Sequence, residues 1–273
     1  MSCAADEGSG LNGIERPRCR WSVVAASVRG ASHAKTGKPC QDANHWAIRG
    51  GAVLVAAVAD GAGSAAHSDV GASVAVRAAV DAVQLTSESS AWPEDDEAWR
   101  ALLHRGLQAA CDAVHAEAGA RAVETRDLAT TLILLIATPD SVAAIQVGDG
   151  AGVIGTDAGD VVGLTVPQSG EYLNETTFIT ASDVIGRAVV SIWRGAVRHL
   201  AVFSDGIQML ALRMPQGNPH ARFFEPVFGF ARNASNVGEP QEELRRFLTS
   251  RRVADRTDDD VTLLLAARMD TGN

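Results

Sequence analysis

A short, almost unbroken apolar run, Val53 to Ala59, stops at Asp60-Gly61-Ala62-Gly63. Seven apolar residues with no polar alternation predict a strand buried on both faces, and the Gly-rich stop predicts a tight turn. A strand of that kind needs a sheet on either side of it or a helix layer above and a sheet below. The same ending recurs: Asp149 follows Ile145–Gly148 and Asp205 follows Val202–Ser204. Each of these aspartates is itself followed by Gly (Gly61, Gly150, Gly206). Asp259 stands instead just before an apolar run, Val261 to Ala267.

The remaining pattern gives the fold class. Trp21–Val28, Thr131–Ala137, Val142–Val147 and Val197–Phe203 read as strands, with shorter ones near Val153 and Val161. Thr138-Pro139-Asp140-Ser141 joins two of them as a hairpin. Gly30 to Gln41 is expected to be a loop, and Pro167 to Asp183 an irregular flap. Ser68–Leu85 predicts a helix that shows water only the stripe Asp69, Ser73, Arg77, Asp81 and Gln84. Glu97–Arg121 predicts a second, buried along Trp99, Leu102, Leu103, Leu107, Ala110 and Val114, after a polar linker from Thr86 to Asp96. Pro240–Arg251 predicts a third, with Pro first, acids in the first turn and Arg in the last. Strands with helices in separate blocks mean α+β, and two packed antiparallel sheets with helices outside use every apolar face.

Composition narrows the function. The net charge is −9, which disfavours a nucleic-acid surface. No apolar run reaches the length of a membrane span. Four cysteines without CxxC spacing predict neither zinc nor a disulfide framework, and suit a reducing cytoplasm. Residues 1–17 are polar and Gly-containing, lack the apolar core of a secretory leader, and are expected to be a flexible tail before one domain, 18–273.

Aspartates at strand ends are, one by one, ordinary turn residues. Gathered in one place they repel, and divalent cations resolve that repulsion. An all-oxygen ligand set favours Mg²⁺ or Mn²⁺. Two such ions sharing a carboxylate lower the pKa of a water held between them.

Six motifs in order now resemble the PPM-type (type 2C) metal-dependent Ser/Thr protein phosphatases, in a bacterial-like branch. They are Gly30-Ala31-Ser32-His33 with Pro39-Cys40-Gln41-Asp42; Val58-Ala59-Asp60-Gly61-Ala62-Gly63; Ala129-Thr130-Thr131; Val147-Gly148-Asp149-Gly150; Phe203-Ser204-Asp205-Gly206; and Asp259-Asp260-Val261-Thr262. The resemblance implies a four-layer α/β/β/α sandwich with two central antiparallel sheets. It implies that Asp60 bridges two metals, that the Gly61 carbonyl is a further ligand, and that Asp205 and Asp259 bind on the other side. Asp42 is implied to hold metal-bound water, and Asp149 to serve a third ion. The second ligand of that third ion falls on Met209, whose thioether does not suit a hard cation.

The chain departs from the family in three places. Gln41 stands where the family often has Glu, Ala62 where it often has His, and no Arg precedes Gln41 closely. His33 is the expected phosphate clamp in place of that Arg, and His67 is read as a helix-start residue. The resemblance implies hydrolysis of phosphoserine and phosphothreonine in proteins by a water activated at two Mn²⁺ or Mg²⁺ ions. The substrate would then be a phosphoprotein, the product of a Ser/Thr kinase in signalling. Two other classes fit less well: a catalytically weak, phosphatase-like regulator, and a small-molecule phosphohydrolase or nuclease.

Overall fold

The computed structural model describes residues 20–86, 92–168, 176–234 and 239–269. The expected tail, Cys3 and Cys19, part of the 86–96 linker and part of the 167–183 flap lie outside those residues.

In chain order, β1 (Arg20–Val28) leads to α1 (Ala31–Thr36), β2 (Asp42–Arg49) and β3 (Val53–Asp60). Then come α2 (Ser68–Thr86), α3 (Asp96–Arg121), β4 (Leu132–Ala137), β5 (Ser141–Val147), β6 (Ala151–Thr156) and β7 (Val161–Gly163). The chain continues through α4 (Val184–Arg187), β8 (Val189–Arg194), β9 (Val197–Phe203), α5 (Gln208–Ala211), β10 (Leu212–Arg213) and β11 (Asn218–Pro219). It finishes with α6 (Ala221–Asn233), α7 (Pro240–Leu248), α8 (Arg251–Ala254) and β12 (Val261–Met269).

Two five-stranded antiparallel sheets result, ordered β1-β12-β9-β6-β7 and β2-β3-β4-β5-β8. Strand parity sorts their side chains. On β3, Val53, Val55, Ala57 and Ala59 face a core shared with α2 and α3. Leu54, Ala56 and Val58 face the other sheet, meeting Leu200, Val202 and Leu264. The outer face of the first sheet packs on Phe223, Phe224 and Phe228 of α6 and Leu244 and Leu248 of α7. The layers are therefore helix, sheet, sheet, helix, as expected.

The α3 stripe is buried as its spacing predicts, and Asp95 caps the helix by accepting from the Ala98 N–H at 2.7 Å. Three expectations need correction. The stretch from Gly30 to Gln41 is not all loop but holds the helical turns of α1, ended at Gly37 in the left-handed region (φ 73°). The helix from Pro240 stops at Leu248, because the Thr249 hydroxyl donates to the Arg245 carbonyl and Ser250 is extended. The chain then resumes as α8. Finally, α6, β2 and β8 were not expected: Pro226 sits inside α6, and β2 and β8 are sheet edges of mixed composition. Among the described residues no helix is long and apolar enough to cross a membrane.

Candidate active site

β2 and β3 pair so that Asp42 lies directly opposite Asp60. Asp60 shares the parity of Leu54, Ala56 and Val58, so its carboxylate extends the seam between the sheets. Thr130 and Thr131 fix its backbone. Both the Thr131 N–H (2.8 Å) and the Thr130 hydroxyl (2.9 Å) donate to the Asp60 carbonyl, and the Asp60 N–H donates to Thr131 Oγ1 at 2.9 Å. That is what the Ala129-Thr130-Thr131 motif does. Gly61 continues the same edge, its N–H donating to the Gln41 carbonyl at 3.1 Å.

The other sheet supplies Asp205, just beyond β9, and Asp259, just before β12. Gly206 has to be glycine, because any Cβ there would run into the Asp260 carbonyl. The two sheets are thus pressed together where their acids meet. Asp149 follows β5, in a turn braced by buried Gln146, whose Nε2 donates to the Gly148 (2.9 Å) and Gly150 (2.8 Å) carbonyls. The Asp149 carboxylate accepts from Thr176 Oγ1 at 2.7 Å.

The electrostatics show that these side chains share one region. Burial pushes the Asp60 carboxyl well up, helped by Asp42, Asp205 and Asp149. Burial raises Asp205 to about 6, against an opposing hydrogen bond from Asp60 and with repulsion from Asp149 and Asp259. Asp60 and Asp205 thus stand close enough to hydrogen-bond and to raise the cost of carrying two charges. Burial also raises Asp42 to about 7, although Ser204 Oγ donates to its Oδ2 at 2.6 Å. Asp259 is exposed at the rim, where its Oδ1 accepts the Asp260 N–H at 2.8 Å.

This donor set fits hard divalent cations. Asp42 Oδ1 and Asp205 Oδ1 are buried and accept no hydrogen bond among the described residues. The two oxygens lack a positive partner in a place crowded with negative charge. No three His, Cys, Asp or Glu side chains among the described residues close into a full cage.

Asp260 is the site residue that the sequence reading passed over in favour of its neighbour Asp259. It is buried and accepts three hydrogen bonds: from Gly30 N–H at 2.7 Å, Gln41 N–H at 2.5 Å and His33 Nδ1 at 2.8 Å. It ties α1 and the start of β2 to the start of β12. His33 is accordingly a buried, anchored ring rather than a free loop histidine. The signal for Asp260 was the buried strand that it opens, since a carboxylate beginning such a strand needs donors waiting for it. Lys38 reaches the Gly63 carbonyl at 2.6 Å, closing the loop after Asp60-Gly61. His67 stands immediately before α2, and its N–H donates to the Asp127 carbonyl at 2.8 Å. Cys40 and Cys111 are free thiols, and burial, with Asp42 beside it, pushes Cys40 far up, toward the neutral thiol rather than the nucleophilic thiolate.

Comparison with known proteins agrees with this geometry. The pattern of the protein phosphatase 2C family matches residues 29–249. The serine/threonine-protein phosphatase 3 of Escherichia coli (strain K12) is 36% identical over 252 residues, covering 90% of this chain and 98% of that protein. Two solved structures share the fold. The catalytic domain of the serine threonine protein phosphatase PstP, in complex with two manganese ions, has a TM-score of 0.58 at 18% identity, covering 92% of this chain and all of that one. The serine/threonine phosphatase Stp1 from Staphylococcus aureus has a TM-score of 0.57 at 15% identity, covering 96% and 99%. The chain belongs to the protein phosphatase 2C family.

Proposed function

We infer that the chain hydrolyses phosphoserine and phosphothreonine in proteins, using two Mn²⁺ or Mg²⁺ ions, and that it acts in the cytoplasm on the products of a Ser/Thr kinase. One observation carries this reading. Asp60, Asp149, Asp205 and Asp259 repel one another across the seam of the two sheets, while Asp205 keeps a buried, unpartnered oxygen.

Asp60, the Gly61 carbonyl, Asp205 and Asp259 would hold the ions, and Asp149 faces the same region. When bound, the ions supply Lewis acidity and lower the pKa of a water nucleophile. The rest falls to the protein's own groups. Asp42, fixed by Ser204, is placed to accept a hydrogen bond from the attacking water and orient it. His33, steadied by Asp260, is the expected partner for a phosphoryl oxygen, as a single donor rather than a two-pronged Arg clamp. Cys40, the thiol next to Gln41 and Asp42, is buried and held toward its neutral form, which disfavours it as the nucleophile of a covalent phosphoenzyme.

The purified protein is expected to turn over p-nitrophenyl phosphate and phosphothreonine peptides with Mn²⁺, and to stop in EDTA. Asp60→Asn and Asp205→Asn should each lower kcat by about 10²-fold or more, the scale of losing a group that stabilises the transition state. Undiminished turnover in EDTA would sink the reading. Binding of a phosphopeptide without turnover would favour the regulator class instead.

A further inference from the structure

Away from the carboxylates, a cleft of about 530 Å³ opens on the flank where the two sheets end side by side, β1 on one and β2 on the other. Val23 and Ala25 of β1 form one wall, Asn44 and Trp46 of β2 another, and the first turn of α7 the rim.

β1 is an edge strand, with no further strand paired to it on this side among the described residues. Ser27 stands opposite Thr262. Thr262 spends its backbone groups on its other side: its N–H donates to Ser204 Oγ at 3.0 Å, and its carbonyl accepts the Ser204 N–H at 3.2 Å. The Ser27–Thr262 pair is therefore a non-hydrogen-bonded one, and alternation makes the Ala25–Leu264 and Val23–Ala266 pairs the same. The N–H and C=O of Val23, Ala25 and Ser27 consequently point away from β12. Arg245 of α7 already donates to the Ser27 carbonyl at 3.2 Å. No backbone partner beyond β12 reaches Val23 or Ala25 among the described residues. Ala25 is only 6% exposed, so it is half-buried Val23 whose unpaired N–H and C=O offer the cleft a strand edge of the kind an extended chain pairs with.

The walls set the chemistry of the occupant. Trp46 is 37% exposed, large for an aromatic on a sheet edge. Glu239 and Glu242 stand at the rim against Arg245, the single cation among the described lining residues, which is engaged by the Ser27 carbonyl, and the chain carries −9 overall. An aromatic face beside carboxylates suits Lys or Arg. Asp42, Asn44 and Trp46 share one face of β2, so Trp46 lies about 13 Å along the strand from Asp42. The space between is bridged by contact: Asn44 Nδ2 donates to Ser27 Oγ at 2.9 Å, which also accepts Thr262 Oγ1 at 2.6 Å, next to the Ser204 that holds Asp42.

We propose that this cleft docks an extended, basic segment of the phosphoprotein substrate, which adds to β1 as an extra strand some four residues from the phosphorylated side chain. The proposal rests on the phosphatase reading for the identity of the partner, and on the β1 edge at Val23 for the mode of binding.

The test is steady-state kinetics of the full chain with Mn²⁺ on two phosphothreonine peptides. One carries an alternating Val-Lys flank, and the other the same flank with alternate amides N-methylated. The first should have a KM about tenfold lower at similar kcat, as expected for two added main-chain hydrogen bonds. Trp46→Ala and a Glu239→Lys/Glu242→Lys double variant should raise that KM about tenfold, as for a central aromatic or charged contact. Both should leave p-nitrophenyl phosphate turnover unchanged. Equal KM for both peptides overturns the groove while turnover keeps the enzyme reading intact. Amide exchange with the unphosphorylated Val-Lys peptide is the independent measurement: Val23 should exchange freely alone and slowly with peptide. Slow exchange before any peptide is added means that the chain's own residues or a second copy occupy the edge, and overturns the proposal even if the protein turns nothing over.

Discussion

Asp260 shows how much one carboxylate can organise. Two backbone N–H groups and an imidazole converge on it, from α1 and from the start of β2. Asp260→Asn keeps the shape but offers a single acceptor oxygen and an unwanted amide donor to three donors. It is expected to cost about 1–3 kcal/mol of stability, the penalty for a buried polar group left short of partners, measurable by urea melts. His33→Ala should raise KM for phosphopeptides with less effect on stability, and a His33→Gln variant should recover part of it.

The pH dependence of the metal-free chain follows from two opposed sets of groups. Asp42 and Asp205 sit at about 7 and about 6 when folded, above the ordinary carboxylate range. The folded state therefore binds protons that the unfolded state has released. Their contribution is fully present below pH 4 and is lost as pH rises through 6 to 7. His199 runs the other way. Burial first, then Arg232 and Arg198, hold it down at about 4 from 6.5, so its contribution is present above 6.5 and lost as pH falls toward 4. Melts in EDTA from pH 8 to pH 5 should show Asp42→Asn flattening the rise toward acid. His199→Gln should steepen it. The opposite signs would refute the assignment.

At the scale of elements, α2 is crowded and α6 is not. A Cβ on Gly71, in the first turns of α2, would strike the Leu128 carbonyl, while one on Gly229 in α6 meets nothing within 4 Å. Gly→Ala in a helix ordinarily gains about 1 kcal/mol. Gly229→Ala should show that gain in thermal melts, and Gly71→Ala should show a loss instead. The same elements explain what was legible in the sequence. β3 and α3 announce themselves because each has one unmixed rule to obey, continuous burial or a single buried stripe. α6 does not, because Pro226 speaks against a helix while five buried residues, Phe223, Phe224, Val227, Phe228 and Ala231, hold it in place. Tertiary packing overrides the local preference. The edge strand β2 is similarly masked, its polar Asn44 and exposed Trp46 answering to the cleft rather than to a core.

For the whole molecule, the candidate site was legible as a set of positions that the fold brings toward one region, but not as a set of contacts. Asp60, Asp149, Asp205 and Asp259 follow from a repeated strand-end pattern together with family order. The division of labour within Asp259-Asp260 does not, since two adjacent aspartates look alike until one is buried and the other left at the rim. Because folding brings these acids together uncompensated, saturating Mn²⁺ should raise the melting temperature. At a hundred times its Kd a ligand adds about 2.7 kcal/mol, and the increment should shrink below pH 6 as protons compete for the same oxygens.

The acids come from both sheets, Asp42, Asp60 and Asp149 from one and Asp205, Asp259 and Asp260 from the other. Charge neutralisation at that junction is therefore expected to act as a rivet between two slabs that otherwise meet through an apolar seam and a few hydrogen bonds such as Asn44–Ser27. Stripped of cations, the slabs should breathe apart first at this end, and amides of β3 and β12 should quicken together rather than one after the other.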